Sequence, residues 1–290
     1  MKIVLSSNPY RDRGLRVAQE AKRILEQEKV EVSLCLPFQT RKGDRVEVPR
    51  NIELKSLSKE LVGADFLICF GGDGTILHAA RDAVAHHVPV LGVNMGSVGF
   101  MAELERSELN RLSALARGEF TTEERMMLDI QVKRGDRVIS RDLALNDAVI
   151  SNGSMARVAE LEVLADGEVA SAVTGDGIIV ATPTGSTAYS MSAGGPIVEP
   201  TSPCILVTPV CAHQLSARAM VLGDQRTITI RLPGGNRKQL FLSVDGGKAV
   251  RLYGGDSVEI HRSKHSTQLV RLTNRSFYQI IHQKLGGFTL

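Results

Sequence analysis

Residues 66–80 read Phe-Leu-Ile-Cys-Phe-Gly-Gly-Asp-Gly-Thr-Ile-Leu-His-Ala-Ala. The first five residues are apolar and predict a buried strand, whereas the residues that follow the glycines predict a helix over 76–86. Gly71, Gly72 and Gly74 lie between the strand and the helix. Glycine lets backbone N–H groups approach an anion closely, and a helix N-terminus adds partial positive charge. The segment therefore predicts a phosphate-binding loop.

A single carboxylate, Asp73, stands among these glycines. Because a carboxylate repels phosphate, it fits better as a metal ligand or as a base that takes a proton from an attacking hydroxyl. The alternative is an ordinary glycine-rich turn in which Asp73 caps the helix.

Composition and charge limit the possible functions. The chain has 290 residues, of which 43% are hydrophobic and 23% charged, so it can form one large or two smaller globular domains. A formal net charge of +3 predicts neither nucleic-acid nor membrane binding. No apolar stretch approaches the about 18 residues of a membrane span, and the N-terminus lacks the apolar segment of a signal peptide.

The four cysteines are scattered and form no Cys-x-x-Cys pair, so the sequence assigns no residue as a metal ligand of a zinc site. We therefore expect a cytoplasmic protein with no nucleic-acid and no membrane partner.

The first part of the chain alternates between strand and helix patterns. Strands are predicted at 3–5, 30–36, 66–70 and 90–94, and helices around 17–25, 76–86 and 109–116, with a polar loop at 41–52. Such alternation is typical of a Rossmann-like parallel sheet with helices on both faces. Ligands of these sheets bind beyond the carboxyl ends of the strands, which is where the glycine loop lies.

The pattern changes near Phe120. Strands are predicted at 128–132, 143–151, 159–164, 169–173, 177–181, 204–209, 227–231, 240–244 and 257–260. Asp166-Gly167 is a type I′ hairpin signal. We predict an α/β domain over 1–120, a mainly β, sandwich-like domain over 121–262, and a tail over 263–290 that packs back on the first domain.

A hydroxyl-rich segment, residues 182–196, reads Thr-Pro-Thr-Gly-Ser-Thr-Ala-Tyr-Ser-Met-Ser-Ala-Gly-Gly-Pro. Small hydroxyl side chains let a ligand come close and offer uncharged hydrogen bonds, and Tyr189 could stack on a flat ring. The alternative is a flexible linker, which Pro183 and Pro196 disfavour.

Two further polar spots interrupt predicted strands. Asn146-Asp147 stands inside the apolar strand at 143–151, where polar side chains are unfavourable unless they are satisfied or used. Amide and carboxylate groups suit ribose hydroxyls; the alternative is a β-bulge or a strand-end turn. Asp176, within Thr174-Gly175-Asp176-Gly177, could hold an amide or a hydroxyl or belong to a plain turn.

Together these segments resemble the NAD kinase family. The matching residues are Gly71-Gly72-Asp73-Gly74-Thr75, Asn146-Asp147, Gly175-Asp176-Gly177 and residues 182–196, with weaker similarity at 92–100 and 244–246. The glycine loop alone is not specific, because lipid kinases and phosphofructokinases carry similar loops. The hydroxyl-rich segment is close to diagnostic.

The resemblance implies that ATP phosphorylates the 2′-hydroxyl of the adenosine ribose of NAD, with Mg²⁺, to give NADP. It also implies an N-terminal α/β domain, a C-terminal β domain, and a dimer or tetramer. Asp73 would be the base or would orient the hydroxyl near Mg²⁺, and the loop glycines would meet phosphate together with Thr75 and His78. The alternative for His78 is an exposed position on the helix surface. The implied NAD-binding residues are Phe100, Asn146, Asp147, Arg157, Thr174, Asp176, Thr187, Ala188, Tyr189, Ser190 and Ser192.

The chain departs from the family pattern at Asp147, where most members have Glu, and at Thr174, where many have Arg. Two other functions compete with a NAD kinase. A lipid or sugar kinase would share the glycine loop, but the segment at 182–196 favours NAD. A non-catalytic NAD(P)-binding regulator would have no need for the carboxylate of Asp73.

Overall fold

The computed structural model describes residues 1–38, 48–49, 52–96, 99–153, 158–234 and 239–286. Most of the predicted polar loop at 41–52 and the candidate Arg157 lie outside these ranges. The chain divides into two compact units, one of Met1–Glu124 with Thr267–Leu290 and one of Arg125–Ser266. No helix in the described ranges is long and apolar enough to cross a membrane.

The first unit alternates strands and helices, as its apolar pattern predicts. Its elements in chain order are β1 (Lys2–Ser7), α1 (Arg16–Gln27), β2 (Glu31–Cys35), α2 (Leu57–Glu60), β3 (Phe66–Gly71), α3 (Asp73–Val84), β4 (Val90–Asn94), β5 (Leu104–Glu105) and α4 (Ser113–Ala116). Short 3₁₀ turns, Arg13–Leu15 and Arg106–Leu112, precede α1 and α4.

The strands β2, β1, β3 and β4 lie side by side in that order and are all parallel. Every residue of β3 is buried, and α1 buries Val17, Ala18, Ala21 and Leu25 along one face. The strand order reverses between β1 and β3, where Ser7 pairs with Phe70. Such a switch point opens a crevice at the carboxyl ends of the strands.

Two predicted helices have different bounds in the structure. The helix predicted at 76–86 begins at Asp73, because the carbonyl of Gly72 already accepts the N–H groups of Thr75 and Ile76. The helix predicted around 109–116 is a 3₁₀ turn followed by α4, and it ends before Gly118, whose φ is 72°.

The second unit is almost entirely β. Its strands are β6 (Thr121–Arg134, which begins in the first unit), β7 (Arg137–Ala144), β8 (Asp147–Asn152), β9 (Ala159–Ala165), β10 (Glu168–Gly175), β11 (Gly177–Ala181), β12 (Cys204–Val210), β13 (Met220–Gly223), β14 (Ile228–Arg231), β15 (Leu240–Val244), β16 (Val250–Leu252) and β17 (Asp256–Arg271, which ends in the first unit). A 3₁₀ turn, Thr184–Thr187, leads to the short helix α5 (Tyr189–Ser192).

One sheet of this unit has the antiparallel order β13-β12-β11-β8-β15-β16, and a second group has the order β10-β9-β14-β17. Residues of both groups, such as Ile150 and Ile178 from the first and Leu161 and Ile230 from the second, share one buried core. The sandwich-like fold predicted for this part of the chain is therefore confirmed.

Local predictions within the β unit had mixed outcomes. The hairpin at Asp166-Gly167 is confirmed, with φ values of 50° and 87°. The continuous strand predicted at 143–151 is wrong, because the chain turns at Leu145 and Asn146 between β7 and β8. The short strands β13 and β16 had no strong apolar pattern and were not predicted.

The C-terminal tail packs on the first unit, as predicted. Leu269 of β17 pairs with Val90 of β4, and helix α6 (Phe277–Leu285) follows. The carboxylate of Glu103 accepts hydrogen bonds from the N–H groups of Leu272 and Thr273, at 2.9 and 2.7 Å. These bonds satisfy main-chain donors that follow the last strand.

Candidate functional site

The glycine loop lies at the carboxyl end of β3 and is shaped by contacts with α3. A Cβ atom on Gly71 would lie less than 3.0 Å from the side chain of Thr75, so a larger residue does not fit there. Added Cβ atoms on Gly72 and Gly74 would meet nothing within 4 Å. The loop therefore has one glycine that packing requires and two whose open surroundings leave the backbone accessible.

Asn8, which was not predicted, links the loop to β1. Its Nδ2 donates to Oγ1 of Thr75 at 3.2 Å, and its main-chain N–H donates to the carbonyl of Phe70 at 2.9 Å. The sequence signal that would have identified Asn8 is its position directly after β1. Polar residues at the carboxyl ends of neighbouring parallel strands lie close to one another, and the predicted loop follows β3.

The carboxylate of Asp73, the first residue of α3, is held by the chain after β4. Oδ2 accepts the N–H of Phe100 at 2.9 Å, and Oδ1 accepts the N–H of Met101 at 3.2 Å. An added Cβ on Gly99 would lie 3.1 Å from Oδ1. The position preceding α3 is occupied by Gly72, so the alternative that Asp73 caps this helix is wrong.

Burial raises the pKa of Asp73 above its usual value, and the N–H groups of Phe100 and Met101 and the charge of Lys284 lower it in part. A carboxylate with a raised pKa is a stronger proton acceptor than an exposed one. The electrostatic surroundings of Asp73 therefore suit a general base.

A second polar cluster of the first unit joins β4, β5 and α6. Asn94 donates through Nδ2 to both carboxylate oxygens of Glu105, at 3.1 and 3.0 Å, and its Oδ1 accepts the N–H of Gly96 at 3.0 Å. Nζ of Lys284 lies 3.5 Å from Oε1 of Glu105. Glu105 and Lys284 carried no sequence signal, because tertiary folding alone brings the tail to β5.

The other predicted residues of the first unit are less enclosed. His78 is exposed on α3, and Phe100 is half-buried. No group of three or more His, Cys, Asp or Glu side chains that could hold a metal ion occurs in the part of the chain that the structure describes.

In the second unit, Asn146 and Asp147 form a buried corner between β7 and β8, exposed by only 8% and 6%. The backbone forms a turn at the end of a strand here, as the alternative interpretation predicted. Both polar side chains are nevertheless buried. Oδ1 of Asn146 has no hydrogen-bond partner among the described residues. Burial, together with the negative charge of Asp245, raises the pKa of Asp147 to about 7.

The hydroxyl-rich segment has a fixed shape, so the flexible-linker alternative is wrong. Ser190 is buried and shares a 2.8 Å hydrogen bond with Thr208, while Ser186 donates to the carbonyl of Val198 at 3.1 Å. Part of the segment is accessible. Among its predicted binding residues, Thr187 and Ala188 are half-buried, and Tyr189 and Ser192 are exposed.

Thr174 lies near the end of β10, and Asp176 is the residue that separates β10 from β11. The side chain of Gln214, which was not predicted, accepts the N–H of Thr174 at 2.7 Å and donates to its Oγ1 at 2.8 Å. Asp176 is exposed, and its hydrogen bond and charge raise the pKa of the Cys211 thiol.

An α/β unit with a glycine loop and a β unit with an enclosed polar corner are the parts expected of a nucleotide-dependent kinase. Residues 3–120 match the ATP-NAD kinase N-terminal domain, and residues 145–272 match the ATP-NAD kinase C-terminal domain. The chain belongs to the ATP-NAD kinase family.

Curated relatives and solved structures agree with this family. The chain is 36% identical to the NAD kinase of Ruminiclostridium cellulolyticum over 98% of this chain and 97% of the relative. It is 45% identical to that of Symbiobacterium thermophilum over 77% and 79%. The yeast NADH kinase complexed with NADH superposes with a TM-score of 0.85 and 27% identity, covering 100% of this chain and 89% of that one.

An NAD kinase from Archaeoglobus fulgidus in complex with ATP shares the fold, with a TM-score of 0.74 and 23% identity over 98% of both chains.

Proposed function

We propose that this chain transfers the γ-phosphoryl group of ATP to the 2′-hydroxyl of the adenosine ribose of NAD, giving NADP and ADP. The phosphoryl-transfer step is proposed from the position and surroundings of the Asp73 carboxylate. It stands at the start of α3 beside the glycine loop, its orientation is fixed by two main-chain N–H groups, and its pKa is raised.

In the proposed step, Asp73 accepts the proton of the ribose 2′-hydroxyl as that oxygen bonds to the γ-phosphorus. The bond from the γ-phosphorus to the bridging oxygen breaks, and ADP leaves with the electron pair. A positioned base typically contributes about 10²–10⁴ in rate, and the remainder comes from orientation and charge stabilisation.

The phosphate groups would lie at Gly71, Gly72 and Gly74, where backbone N–H groups and the N-terminus of the twelve-residue helix α3 favour anions. Thr75 and His78 are proposed to border the phosphates.

The residues present fit Mg²⁺ that arrives with ATP, because this ion is usually bound by one or two carboxylates with phosphate oxygens and water. Asp73 is the carboxylate beside the loop, and among the described residues each of its oxygens accepts one main-chain hydrogen bond, from Phe100 or from Met101. When bound, the ion would neutralise charge on the phosphates.

NAD is proposed to bind the corner of Asn146 and Asp147 through its ribose hydroxyls. The unpartnered Oδ1 of Asn146 supports this, because a buried acceptor without a partner is costly unless a ligand satisfies it. The remaining proposed NAD-binding residues are Phe100, Arg157, Thr174, Asp176, Thr187, Ala188, Tyr189, Ser190 and Ser192. Ser190 would act through the backbone, since its hydroxyl is bonded to Thr208.

We also propose that the protein forms a homo-oligomer in the cytoplasm. Each subunit would consist of one domain at 1–120, a second domain at 121–262 and a tail at 263–290. The free state of all four cysteines supports a reducing compartment. Sedimentation of the purified protein tests the oligomer.

A coupled assay with purified protein, Mg²⁺, ATP and NAD tests the proposed reaction, with NADP read by an NADP-specific dehydrogenase. NADH is the second candidate acceptor, because the yeast NADH kinase superposes over the whole chain. Formation of NADP in the presence of ATP supports the proposal. Well-folded protein that phosphorylates neither NAD nor NADH contradicts it.

A further inference from the structure

The carboxylate of Asp245 holds the main chain of the Asn146–Asp147 corner. Its Oδ2 accepts the N–H of Leu145 at 2.8 Å, and its Oδ1 accepts the N–H groups of Asn146 and Asp147 at 2.8 and 2.9 Å. The main-chain N–H of Asp245 donates in return to the carbonyl of Asp147 at 3.0 Å. Three consecutive donors are thus satisfied by one side chain that lies about one hundred residues away in the sequence.

The carbonyl groups of the same corner are held from the hydroxyl-rich segment. Oγ1 of Thr182 donates to the carbonyl of Leu145, and its N–H donates to the carbonyl of Asn146 at 2.8 Å. Gly185 packs against the main chain of Asn146, where an added Cβ would lie less than 3.0 Å from the carbonyl oxygen. The corner therefore has little freedom to rotate.

The backbone of Asp245 is adapted to this task. Its φ of 48° lies in the left-handed region, followed by Gly246 at 68°. A non-glycine residue in that region is unfavourable and persists where the surrounding structure holds it. Asp and Asn are the non-glycine residues that most readily adopt it.

We infer that Asp245, assisted by Thr182, is a positioning residue for NAD: it presents the side chains of Asn146 and Asp147 to the ribose and couples this site to pH through its own negative charge. The inference rests on the proposed binding of NAD at this corner.

The pH coupling follows from two carboxylates in one enclosed place. Among the described residues, Asp245 is the charged group that acts on the Asp147 carboxylate, and its charge adds to burial in raising that pKa to about 7. An ionised Asp147 accepts hydrogen bonds from two ribose hydroxyls more strongly than a protonated one. NAD affinity should therefore rise as pH increases through about 7.

The test is direct titration of NAD into the protein, without ATP, between pH 5.5 and pH 8.5. The variant is Asp245→Asn, which suits the left-handed backbone. The amide has one acceptor oxygen in place of two, so its NH₂ group faces a main-chain N–H that the second carboxylate oxygen accepts in the wild-type protein. We expect the Kd for NAD to increase at least about tenfold at pH 8. The pH midpoint, at which the change in NAD affinity with pH is half complete, should fall by on the order of one unit, because a like charge has been removed.

Asp166→Asn is the matched control. Asp166 also has a positive φ, of 50°, and its carboxylate also accepts a main-chain N–H, that of Thr227 at 2.9 Å, in an exposed hairpin. The same substitution there should leave both the Kd and its pH midpoint unchanged. A merely structural role of Asp245 would weaken binding in step with lost thermal stability and would not move the midpoint.

Thr182→Val serves if Asp245→Asn does not fold, since it removes the hydrogen bond to Leu145 without changing charge. It should raise the Kd several-fold and leave the midpoint in place. Normal NAD binding by folded Asp245→Asn, or by Thr182→Val where the first variant does not fold, would overturn the inference. Absence of NAD binding by the wild-type protein would instead contradict the proposed function.

Discussion

The main-chain N–H of Phe100 donates to Oδ2 of Asp73 across 2.9 Å, so the chain after β4 fixes the carboxylate at the start of α3. Met101 holds the other oxygen in the same way. Two such bonds define the plane of the carboxylate before any ligand binds. In the proposed reaction, this fixed orientation would avoid the entropy loss of ordering the Asp73 side chain.

Replacement of Asp73 by Asn should abolish most turnover while NAD still binds. The amide cannot accept the hydroxyl proton, so we expect kcat to fall by about 10²–10⁴, equivalent to about 3–5 kcal/mol of barrier. The Kd for NAD should stay within about tenfold. The coupled assay and a binding titration measure the two quantities separately.

Asp82→Asn is the control for this substitution, because Asp82 lies exposed near the other end of the same helix. It should retain wild-type kcat. Full activity in Asp73→Asn would show that another group, or water, accepts the proton.

The charge of Lys284 should tune the pH dependence of the enzyme. Lys284 lowers the pKa of Asp73, so its removal in Lys284→Met raises that pKa further. More of the base is then protonated at a given acidic pH. We expect the acidic limb of kcat/KM for NAD to move to higher pH, as measured in a pH–rate profile.

Lys284→Arg keeps the positive charge and should leave that limb near its wild-type position. Lys22→Met, which removes a half-exposed lysine that pairs with Glu26 on α1, should have no effect. A limb that moves equally in Lys284→Met and Lys284→Arg would rule out the electrostatic explanation.

Gly71→Ala should destabilise the protein, because the added methyl group overlaps the side chain of Thr75. Overpacking of this kind typically costs about 1–3 kcal/mol. Gly72→Ala adds the same methyl group where nothing lies within 4 Å, at a φ of −96° that alanine adopts. Chemical denaturation should therefore show a clearly larger loss of unfolding free energy for Gly71→Ala, and equal losses would contradict the packing argument.

Asp147→Asn should stabilise the folded protein at high pH. The folded pKa of Asp147, about 7, lies above the unfolded value of about 3.9, so the wild-type protein loses stability as pH rises between these values and reaches a constant penalty above them. An amide does not titrate. From pH 5.5 to pH 8 the advantage of the variant should grow by about 2 kcal/mol, from 1.5 pH units at 1.36 kcal/mol each.

Denaturation of both proteins at the two pH values checks this, with Asp166→Asn as the control, because Asp166 has a lowered pKa and is exposed. A constant difference at the two pH values would show that Asp147 ionises normally. NAD affinity of Asp147→Asn should decrease at pH 8, since the ionised acceptor is absent.

Much of the fold could be predicted because apolar periodicity is a local property. β4, β11 and β15 have the predicted bounds, and the helix predicted around 17–25 is present as α1 with one buried face, since burial of one side follows from residue spacing. The start of α3 was predicted too late, because glycine and aspartate carry no apolar signal and only the hydrogen bonds to Gly72 reveal the first turn.

The sequence by itself determined the order of strands and helices, the change from α/β to β, and the motifs that resemble an NAD kinase. It did so because these features depend on residues close together in the chain. Only the tertiary structure decided which groups surround Asp73 and Asp147: Phe100 and Lys284 for the first, and Asp245 for the second. Burial and charge act through space, so the pKa and orientation of a side chain depend on neighbours that are distant in sequence.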